Sequence, residues 1–140
     1  MIIVDTNVIF ELTRLAPAPE VISWLDSLAT ADVATTAITA AELLYGVARL
    51  PDGRHKTELG AAVCGLLSGD FAGRVLPFDK PAADRYAEIV SQRERLGRTI
   101  SVADAQIAAI CSATGATLAT RNVDDFEESG IELLNPWKLT

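Results

Sequence analysis

Short apolar runs alternate with longer amphipathic stretches along the chain. The short runs are rich in β-branched residues and predict buried strands, whereas apolar positions three and four residues apart predict helices. Strands are predicted at 2–4, 32–38, 74–78 and 117–120, with a possible edge strand at 132–134. Helices are predicted from position 6 or 7 to about 14 and over 20–29, 39–50, 56–67, 80–96, 101–114 and 123–128.

Capping residues mark the ends of several of these helices. Thr6 or Asn7 is expected to cap the first helix. Thr39 is expected to open the third helix, with Glu42 at the capping-box position. Strands separated by helices indicate parallel pairing through right-handed crossovers, and hence an α/β sandwich. No linker or repeat interrupts the pattern, so one domain over 1–140 is expected.

The composition is that of a globular protein, with 49% hydrophobic and 22% charged residues. No apolar run approaches the roughly 18 residues of a membrane span. The start, MIIVDTNV, has no basic leader, which argues against a signal peptide and favours a cytoplasmic protein without a membrane partner. Cys64 and Cys111 are predicted to be two buried thiols rather than a disulfide.

The formal net charge of −7 initially argues against a nucleic-acid substrate, because phosphate binding usually leaves a basic footprint. Acids gathered in one pocket to hold cations would change that balance. Metal binding would neutralise part of the negative charge, and a basic protein partner would pair with the remaining acidic residues.

Acidic residues follow the predicted strands at one edge of the sheet. Asp5 ends the first strand, Asn122 with Asp124 and Asp125 follows the fourth, and Glu42 lies in the helix after the second. Open α/β sheets bind ligands at the carboxyl ends of their strands, so these side chains are expected to converge.

Asp104 lies on a helical face with Ile107, Ala108 and Cys111, which is predicted to be core. A carboxylate on such a face is rarely buried unless it is paired or bound to metal. Structural roles remain open: Asp5 as a helix cap, Glu42 in the capping box, and Asp104 paired with a buried Arg or capping its helix with Ser101. Taken alone, Asp124 or Asp125 is more typical of a solvent-exposed acid that stabilises a helix N-terminus than of a catalytic residue.

Several carboxylates at one sheet edge would repel one another unless a cation neutralised them. Magnesium suits such a site because it prefers oxygen ligands and keeps several waters. The chain has one histidine, His55, which disfavours a zinc site. Two metals about 3.5–4 Å apart could stabilise the attacking and leaving oxygens of a phosphodiester displacement.

Five segments together carry a resemblance to a known family. They are VDTNV at 4–8, TAAELLYG at 39–46, ADAQIAA at 103–109, ATRNVDDF at 119–126 and NPW at 135–137. In this order and spacing the chain resembles PIN-domain proteins, in particular VapC toxins of the FitB-like branch. The resemblance covers essentially the whole chain and implies a PIN-like three-layer α/β/α sandwich with a central, mainly parallel sheet of four or five strands.

The resemblance also implies a metal-dependent endoribonuclease that uses Mg²⁺, with Mn²⁺ as a substitute. Asp5, Glu42 and Asp104 would form its catalytic acidic triad, with Asp5 and Asp104 as principal metal ligands and Glu42 completing the shell or orienting the water. Supporting polar residues would be Thr6, Asn7, Ser101 and Thr120. Some relatives have an acid where Asn122 stands here, which puts a second metal in doubt unless Asp124 or Asp125 substitutes.

The family resemblance further implies the toxin of a type II toxin–antitoxin pair, a homodimer inhibited by a small VapB-like antitoxin that inserts a basic segment into the acidic groove. The RNA substrate could be bound by Arg14, Arg49, Arg54, Lys56 and Arg121, although each of these is more often a solvated surface residue. Two alternatives stay open: a PIN fold that binds RNA or protein without cutting, and a phospho-receiver domain, suggested by Asp79-Lys80-Pro81.

Overall fold

A computed structural model describes residues 1–139; Thr140, the last residue of the domain predicted over 1–140, lies outside the described residues. The five strands are β1 (Ile2–Val4), β2 (Val33–Thr36), β3 (Val75–Leu76), β4 (Thr117–Ala119) and β5 (Leu133–Leu134). The helices are α1 (Thr6–Leu12), α2 (Pro19–Asp26), α3 (Ala37–Ala48), α4 (Arg54–Gly65), α5 (Lys80–Arg95), α6 (Val102–Thr114) and α7 (Val123–Phe126). A 3₁₀ turn at Thr30–Asp32 precedes β2, and a π-helical turn at Leu66–Asp70 follows α4.

The strands form one sheet in the order β3-β2-β1-β4-β5, and every pairing is parallel. In β1, Ile2 lies beside Val33 on one side and Thr117 on the other. The predicted parallel sheet is confirmed, including the edge position of β5.

Helices cover both faces of the sheet. Successive residues of the central strand point to opposite sides, so each face presents apolar side chains that a layer of helices buries. Ile3 packs into a core cluster with α5, α6 and α7, whereas Val4 packs into a second cluster with α1 to α4. Both side chains are completely buried. The molecule is therefore the three-layer α/β/α sandwich predicted, doubly wound, with its strand order reversing direction between β1 and β4.

Two predicted caps are wrong by one and three residues. The N-cap of α1 is Asp5, which has extended backbone and accepts a 2.8 Å hydrogen bond from the Thr6 amide. The N-cap of α3 is Thr36, whose hydroxyl accepts from the Thr39 amide at 3.0 Å. Strand β2 therefore ends before position 38, and Glu42 lies too far into α3 to close a capping box with Thr39.

The remaining bounds agree with the predicted ones to within about three residues, the structural elements being mostly shorter. Ser101 caps α6 and Gly115 ends it in the left-handed conformation, φ 68°, as expected. One thiol was predicted wrongly: Cys64 is exposed, because it lies on the outer face of α4. Cys111 is buried, and burial raises its pKa to about 12. Over residues 1–139 we find no helix with the length and apolar character of a membrane span.

Candidate active site

The switch point between β1 and β4 gathers polar side chains at the carboxyl edge of the sheet. Asp5 follows β1 directly, and its amide donates a 2.9 Å hydrogen bond to the Ala119 carbonyl at the end of β4. Thr120 follows β4 and is completely buried. The two chain segments leave the sheet side by side, which is the geometry that creates a crevice in a doubly wound fold.

Asp5 is 5% exposed, and both of its carboxylate oxygens are held. Oδ1 accepts from the Thr6 amide, so Asp5 does cap α1. Oδ2 accepts from the Thr120 hydroxyl at 2.7 Å and from the Asn7 side-chain amide at 3.3 Å. The capping role and the role in the cleft are therefore compatible, because each uses a different oxygen.

Glu42 reaches the same place from α3. The Thr6 hydroxyl donates to Glu42 Oε1 at 2.8 Å and lies 3.4 Å from the Thr39 hydroxyl. Thr6 thus donates its backbone amide to Asp5 and its hydroxyl to Glu42. This arrangement joins Asp5 and Glu42 through a single residue.

Asp104 enters the site from the first turn of α6. The Ser101 hydroxyl accepts from the Asp104 amide at 3.1 Å, so Ser101 caps the helix, and the Asp104 side chain lines the cleft. The predicted core face is confirmed for Ile107, Ala108 and Cys111, which are buried, while Asp104 is partly exposed. Its charge interacts with the buried Arg93, but the two do not form an ion pair within 4.0 Å.

A cleft of about 420 Å³ brings most of the predicted site residues together. Its polar lining comprises Asp5, Thr6, Asn7, Glu42, Asp104 and Asn122. The other three predicted residues do not line it. Thr120 lies beneath Asp5, Ser101 is committed to the α6 cap, and Asp125 is an exposed residue of α7 whose charge acts on Asp104.

Burial and mutual repulsion disturb the acids of this cleft. Desolvation raises the pKa of Asp5, and the charge of Glu42 raises it further, against the hydrogen bonds from Thr120 and Thr6. Desolvation likewise raises the pKa of Asp104, with added contributions from Asp5 and Asp125. Such a site has an excess of negative charge that a cation would relieve.

The donor set fits a hydrated divalent cation rather than a cage of protein ligands. Over residues 1–139, no three Asp, Glu, His or Cys side chains lie close enough to enclose a metal ion by themselves. Carboxylate oxygens are the ligands that Mg²⁺ prefers, and it commonly binds through one or two carboxylates while retaining waters. Asp5 and Asp104 provide that number.

Two features of the site were missed from the sequence. The first is an apolar wall that faces the acids, formed by Phe10, Leu43, Gly46, Val47, Leu59 and Val63. The second is Arg93, which is 3% exposed and donates to the backbone carbonyls of Arg98, Thr99 and Glu127. The spacing of Ala82, Tyr86, Ile89 and Arg93 on α5 was the available signal, since it places an arginine on the apolar stripe.

Comparison with known proteins identifies the family of this chain. The family model described as PIN domain matches residues 2–130. The chain belongs to the PIN-domain family. It is 44% identical over 137 residues to toxin FitB of Neisseria gonorrhoeae, covering 98% of this chain and 99% of that one. It is 40% identical over 138 residues to VapC ribonuclease Y4jK of Sinorhizobium fredii, covering 99% of both.

A solved structure of FitAB bound to an IR36 DNA fragment contains a chain similar to this PIN domain, with a TM-score of 0.92 and 43% identity, covering 100% of this chain and 98% of that one. Family membership removes the phospho-receiver alternative. In the structure Asp79 is the N-cap of α5, where its side chain accepts from the Ala82 amide at 3.2 Å.

Proposed function

We propose that this PIN domain is a metal-dependent endoribonuclease that acts as the toxin of a toxin–antitoxin pair. The observation that carries the proposal is that Asp5, Glu42 and Asp104, from three different elements, line one cleft at the switch point of the sheet. The similarity to a VapC ribonuclease and to toxin FitB over nearly the whole chain supports the same activity.

Asp5 and Asp104 would hold the cation, with Glu42 completing its surroundings, and Mg²⁺ or Mn²⁺ suits these oxygen donors. When bound, the cation supplies a Lewis acid that polarises the phosphodiester and makes water more acidic. Asn122 lines the cleft with an uncharged amide, so a single metal is the expected occupancy.

The protein's own contribution is to fix the acids before substrate arrives, which avoids reorganisation during the reaction. Thr120 and Asn7 orient Asp5 through its Oδ2, and Thr6 orients Glu42. Ser101 sets the start of α6 and so the position of Asp104. The apolar wall around Phe10 and Leu59 limits water on the opposite side of the cleft.

The partner is proposed to be a small antitoxin that enters beside the cleft. Phe10 and Leu59 also line a second cleft of about 660 Å³, together with Arg14, Leu15 and His55. Phe10 is 51% exposed, and Leu15 is fully exposed. An antitoxin segment with apolar side chains could occupy this second cleft and place a basic side chain among the acids. We propose that the protein acts in the cytoplasm, where both its RNA substrate and a protein inhibitor would be present.

A homodimer is proposed from exposed apolar side chains on packed helices. Leu44 and Tyr45 on α3, Leu96 after α5 and Val102 on α6 are between 46% and 66% exposed. Helices α3 and α5 both contact α6, so these side chains lie on neighbouring elements. Exposed apolar groups of this size commonly mark an interface, and light scattering of the purified protein would measure the mass.

The nuclease is tested with purified protein and labelled RNA in Mg²⁺, Mn²⁺ or EDTA. Cleavage is expected only with metal, and Asp5→Asn or Asp104→Asn should lower it by about 10²-fold or more, because each removes a charge placed at the reacting centre. Asp32→Asn is the matched control, since Asp32 is exposed and precedes β2 at the opposite end of the strands. Equal cleavage by all four proteins would show that a contaminant is responsible.

Expression in bacteria tests the toxin role. Growth arrest is expected from the chain alone, and relief is expected when the neighbouring open reading frame is expressed with it. A second candidate, RNA binding without cleavage, is favoured by Asn122 and by the lack of three closely grouped acids within 1–139. RNA binding with no metal-dependent product would support that candidate instead.

A further inference from the structure

Arg121 is tied to the acidic cleft through its backbone. It lies between Thr120, whose hydroxyl holds Asp5, and Asn122, which lines the cleft. The Arg121 amide donates a 3.1 Å hydrogen bond to Asn7 Oδ1. Asn7 in turn donates to Asp5 Oδ2 at 3.3 Å. Arg121 therefore has a fixed starting point at the rim of the cleft.

The side chain of Arg121 is held against an aromatic ring. Its guanidinium carbon lies 4.8 Å from the centre of the Trp137 ring, within the range of a cation–π contact. Trp137 packs against the core cluster of α1 to α4, and its amide donates to Asn135 Oδ1 at 2.9 Å. The ring is thus a fixed support that orders the Arg121 side chain before a ligand binds. Less conformational entropy is then lost on binding than with a mobile exposed arginine.

Three other arginines are already engaged in contacts within the chain. Arg14 pairs with Glu11 at 3.2 Å, and Arg98 lies within 3.5 Å of both Glu127 and Glu128. Arg93 is buried, and its N–H groups donate hydrogen bonds to backbone carbonyls. Arg121 is exposed, and among residues 1–139 no carboxylate lies within 4.0 Å of it and no side-chain hydrogen bond uses its N–H groups.

We propose that Arg121, supported by Trp137, is an RNA-binding residue that contacts a phosphate of the strand entering the cleft. This inference rests on the proposed nuclease function. An acidic cleft in a protein of net charge −7 repels RNA, so a cation at its rim is needed to bring the backbone into place. Guanidinium is suited to this role because its N–H donors match phosphate oxygens while its face stacks on a ring.

The experiment measures binding of a fluorescein-labelled, randomised single-stranded RNA 20-mer by anisotropy in Mg²⁺. All proteins carry Asp104→Asn so that the RNA is not consumed. Arg121→Gln is expected to weaken binding about tenfold, the cost of losing a charge-assisted hydrogen bond. The plot of log Kd against log salt should become shallower by about 0.7, the value for one phosphate contact on a single strand.

The matched control is Arg85→Gln, which makes the same charge change on an exposed arginine. Arg85 lines a cleft with Ala116 and Thr117, at the opposite end of β4, and is expected to leave binding unchanged. Arg121→Lys keeps the charge, so it should restore the salt dependence while recovering only part of the affinity. Trp137→Phe retains a ring and should bind RNA more tightly than Arg121→Gln does.

Three results would overturn the proposal. They are an Arg121→Gln protein that binds as its parent does, an equal loss in Arg85→Gln, or a lowered melting temperature with unchanged salt dependence. The last would mean that Arg121 only fastens the C-terminal segment. Binding does not require cleavage, so an inactive wild type with the expected Arg121→Gln defect would contradict the nuclease function and still support the RNA contact.

Discussion

The Thr120 hydroxyl donates a 2.7 Å hydrogen bond to Asp5 Oδ2, although the two residues are 115 positions apart in the chain. The same hydroxyl accepts from the Asn7 side chain at 3.3 Å and from the Asn122 amide at 3.1 Å. One buried oxygen therefore sets the orientation of the central carboxylate and of the loop after β4. Because these partners use the hydroxyl as both donor and acceptor, its proton is directed at Asp5.

Thr120→Val should lower the rate of RNA cleavage about tenfold while leaving the fold intact. The substitution keeps the side chain's shape but removes the donor to Asp5 and the acceptor for the Asn122 amide, at a cost of about 1–3 kcal/mol. The Thr120 bond lowers the pKa of Asp5, so that pKa should rise further in the variant. Carboxyl ¹³C NMR of the metal-free protein measures it, and kcat with labelled RNA measures the activity.

Thr120→Ser is the control for this prediction, because it retains the hydroxyl in a slightly smaller side chain. Its cleavage rate is expected to stay within about threefold of wild type. A valine variant with the wild-type rate and an unchanged Asp5 titration would mean that Asn7 and Thr6 orient Asp5 without help.

Asp104→Asn should make the metal-free protein more stable at pH 7. The pKa of Asp104 in the folded state is raised, chiefly by desolvation, above its value of 3.8 in the unfolded chain. The folded protein therefore holds its proton more tightly, and its stability falls as pH rises through the interval between the two pKa values. Asparagine removes this penalty, so thermal unfolding in EDTA should show the larger gain at pH 7 than at pH 3.5.

Magnesium should stabilise the wild type more than it stabilises Asp104→Asn. At ten times its dissociation constant, a ligand that binds only the folded state stabilises it by about 1.4 kcal/mol, and the wild type should gain this amount. Asp104→Asn should gain much less, whereas Asp32→Asn should respond as the wild type does. A magnesium response of equal size in all three proteins would place the cation elsewhere.

Glu11→Gln should destabilise the protein at pH 7 by about 1–3 kcal/mol. Glu11 is 3% exposed and accepts from the Ala18 amide at 2.8 Å, which fixes the chain between α1 and α2. That bond is the main reason why the pKa of Glu11 is lowered from 4.5. The stabilisation is therefore present above pH 4.5 and is lost as pH falls through the lowered pKa.

Urea denaturation at pH 7 and at low pH measures this difference. Arg14→Gln is the comparison, because Arg14 is half exposed and pairs with Glu11 from the solvent side at 3.2 Å. Its effect should be below about 1 kcal/mol. A Glu11→Gln defect that stays constant with pH would show that packing, and not the ionised carboxylate, is responsible.

The sequence was most informative where a single local rule decides the structure. The β-branched run at Ile2–Val4, the cap at Ser101 and the left-handed Gly115 each follow from nearby residues. Parallel pairing followed from the alternation of strands and helices, and it predicted that Asp5 and Glu42 meet at one edge of the sheet. Asp104 was indicated by its position on an apolar helix face and by the family resemblance. The convergence of the acids was therefore predictable from topology and from the family resemblance.

Other features depend on contacts that no local pattern encodes. Thr36 and Thr39 compete for the cap of α3, and the end of β2 decides in favour of Thr36. Thr120 looked like one of several supporting residues, yet its hydroxyl organises the centre of the site. Cys64 lies in a helical pattern that resembles a buried one, and only the packing of α4 shows that it faces outward.

Arg93→Lys should destabilise the protein by about 2–4 kcal/mol despite keeping the positive charge. The Arg93 guanidinium donates from Nε to the Arg98 carbonyl at 3.0 Å, from Nη2 to the Thr99 carbonyl at 2.9 Å, and from Nη1 to the Glu127 carbonyl. These bonds join the loop before α6 to the end of α7. A lysine ammonium cannot reach all three acceptors from one position, so buried carbonyls would be left without donors.

The loss should extend to activity, because the same loop leads to Ser101 and Asp104. Arg93→Lys is expected to cleave RNA about tenfold more slowly at a temperature where it is still folded, with faster proteolysis between α5 and α6. Arg95→Lys makes the same exchange on an exposed neighbour whose guanidinium, within residues 1–139, bonds only to Gln92, at 3.2 Å. This variant should match wild type in both assays. If Arg93→Lys unfolds in urea as Arg95→Lys does, the three carbonyl bonds do not hold the α6 start in place, and Asp104 must be positioned by the packing of α6 alone.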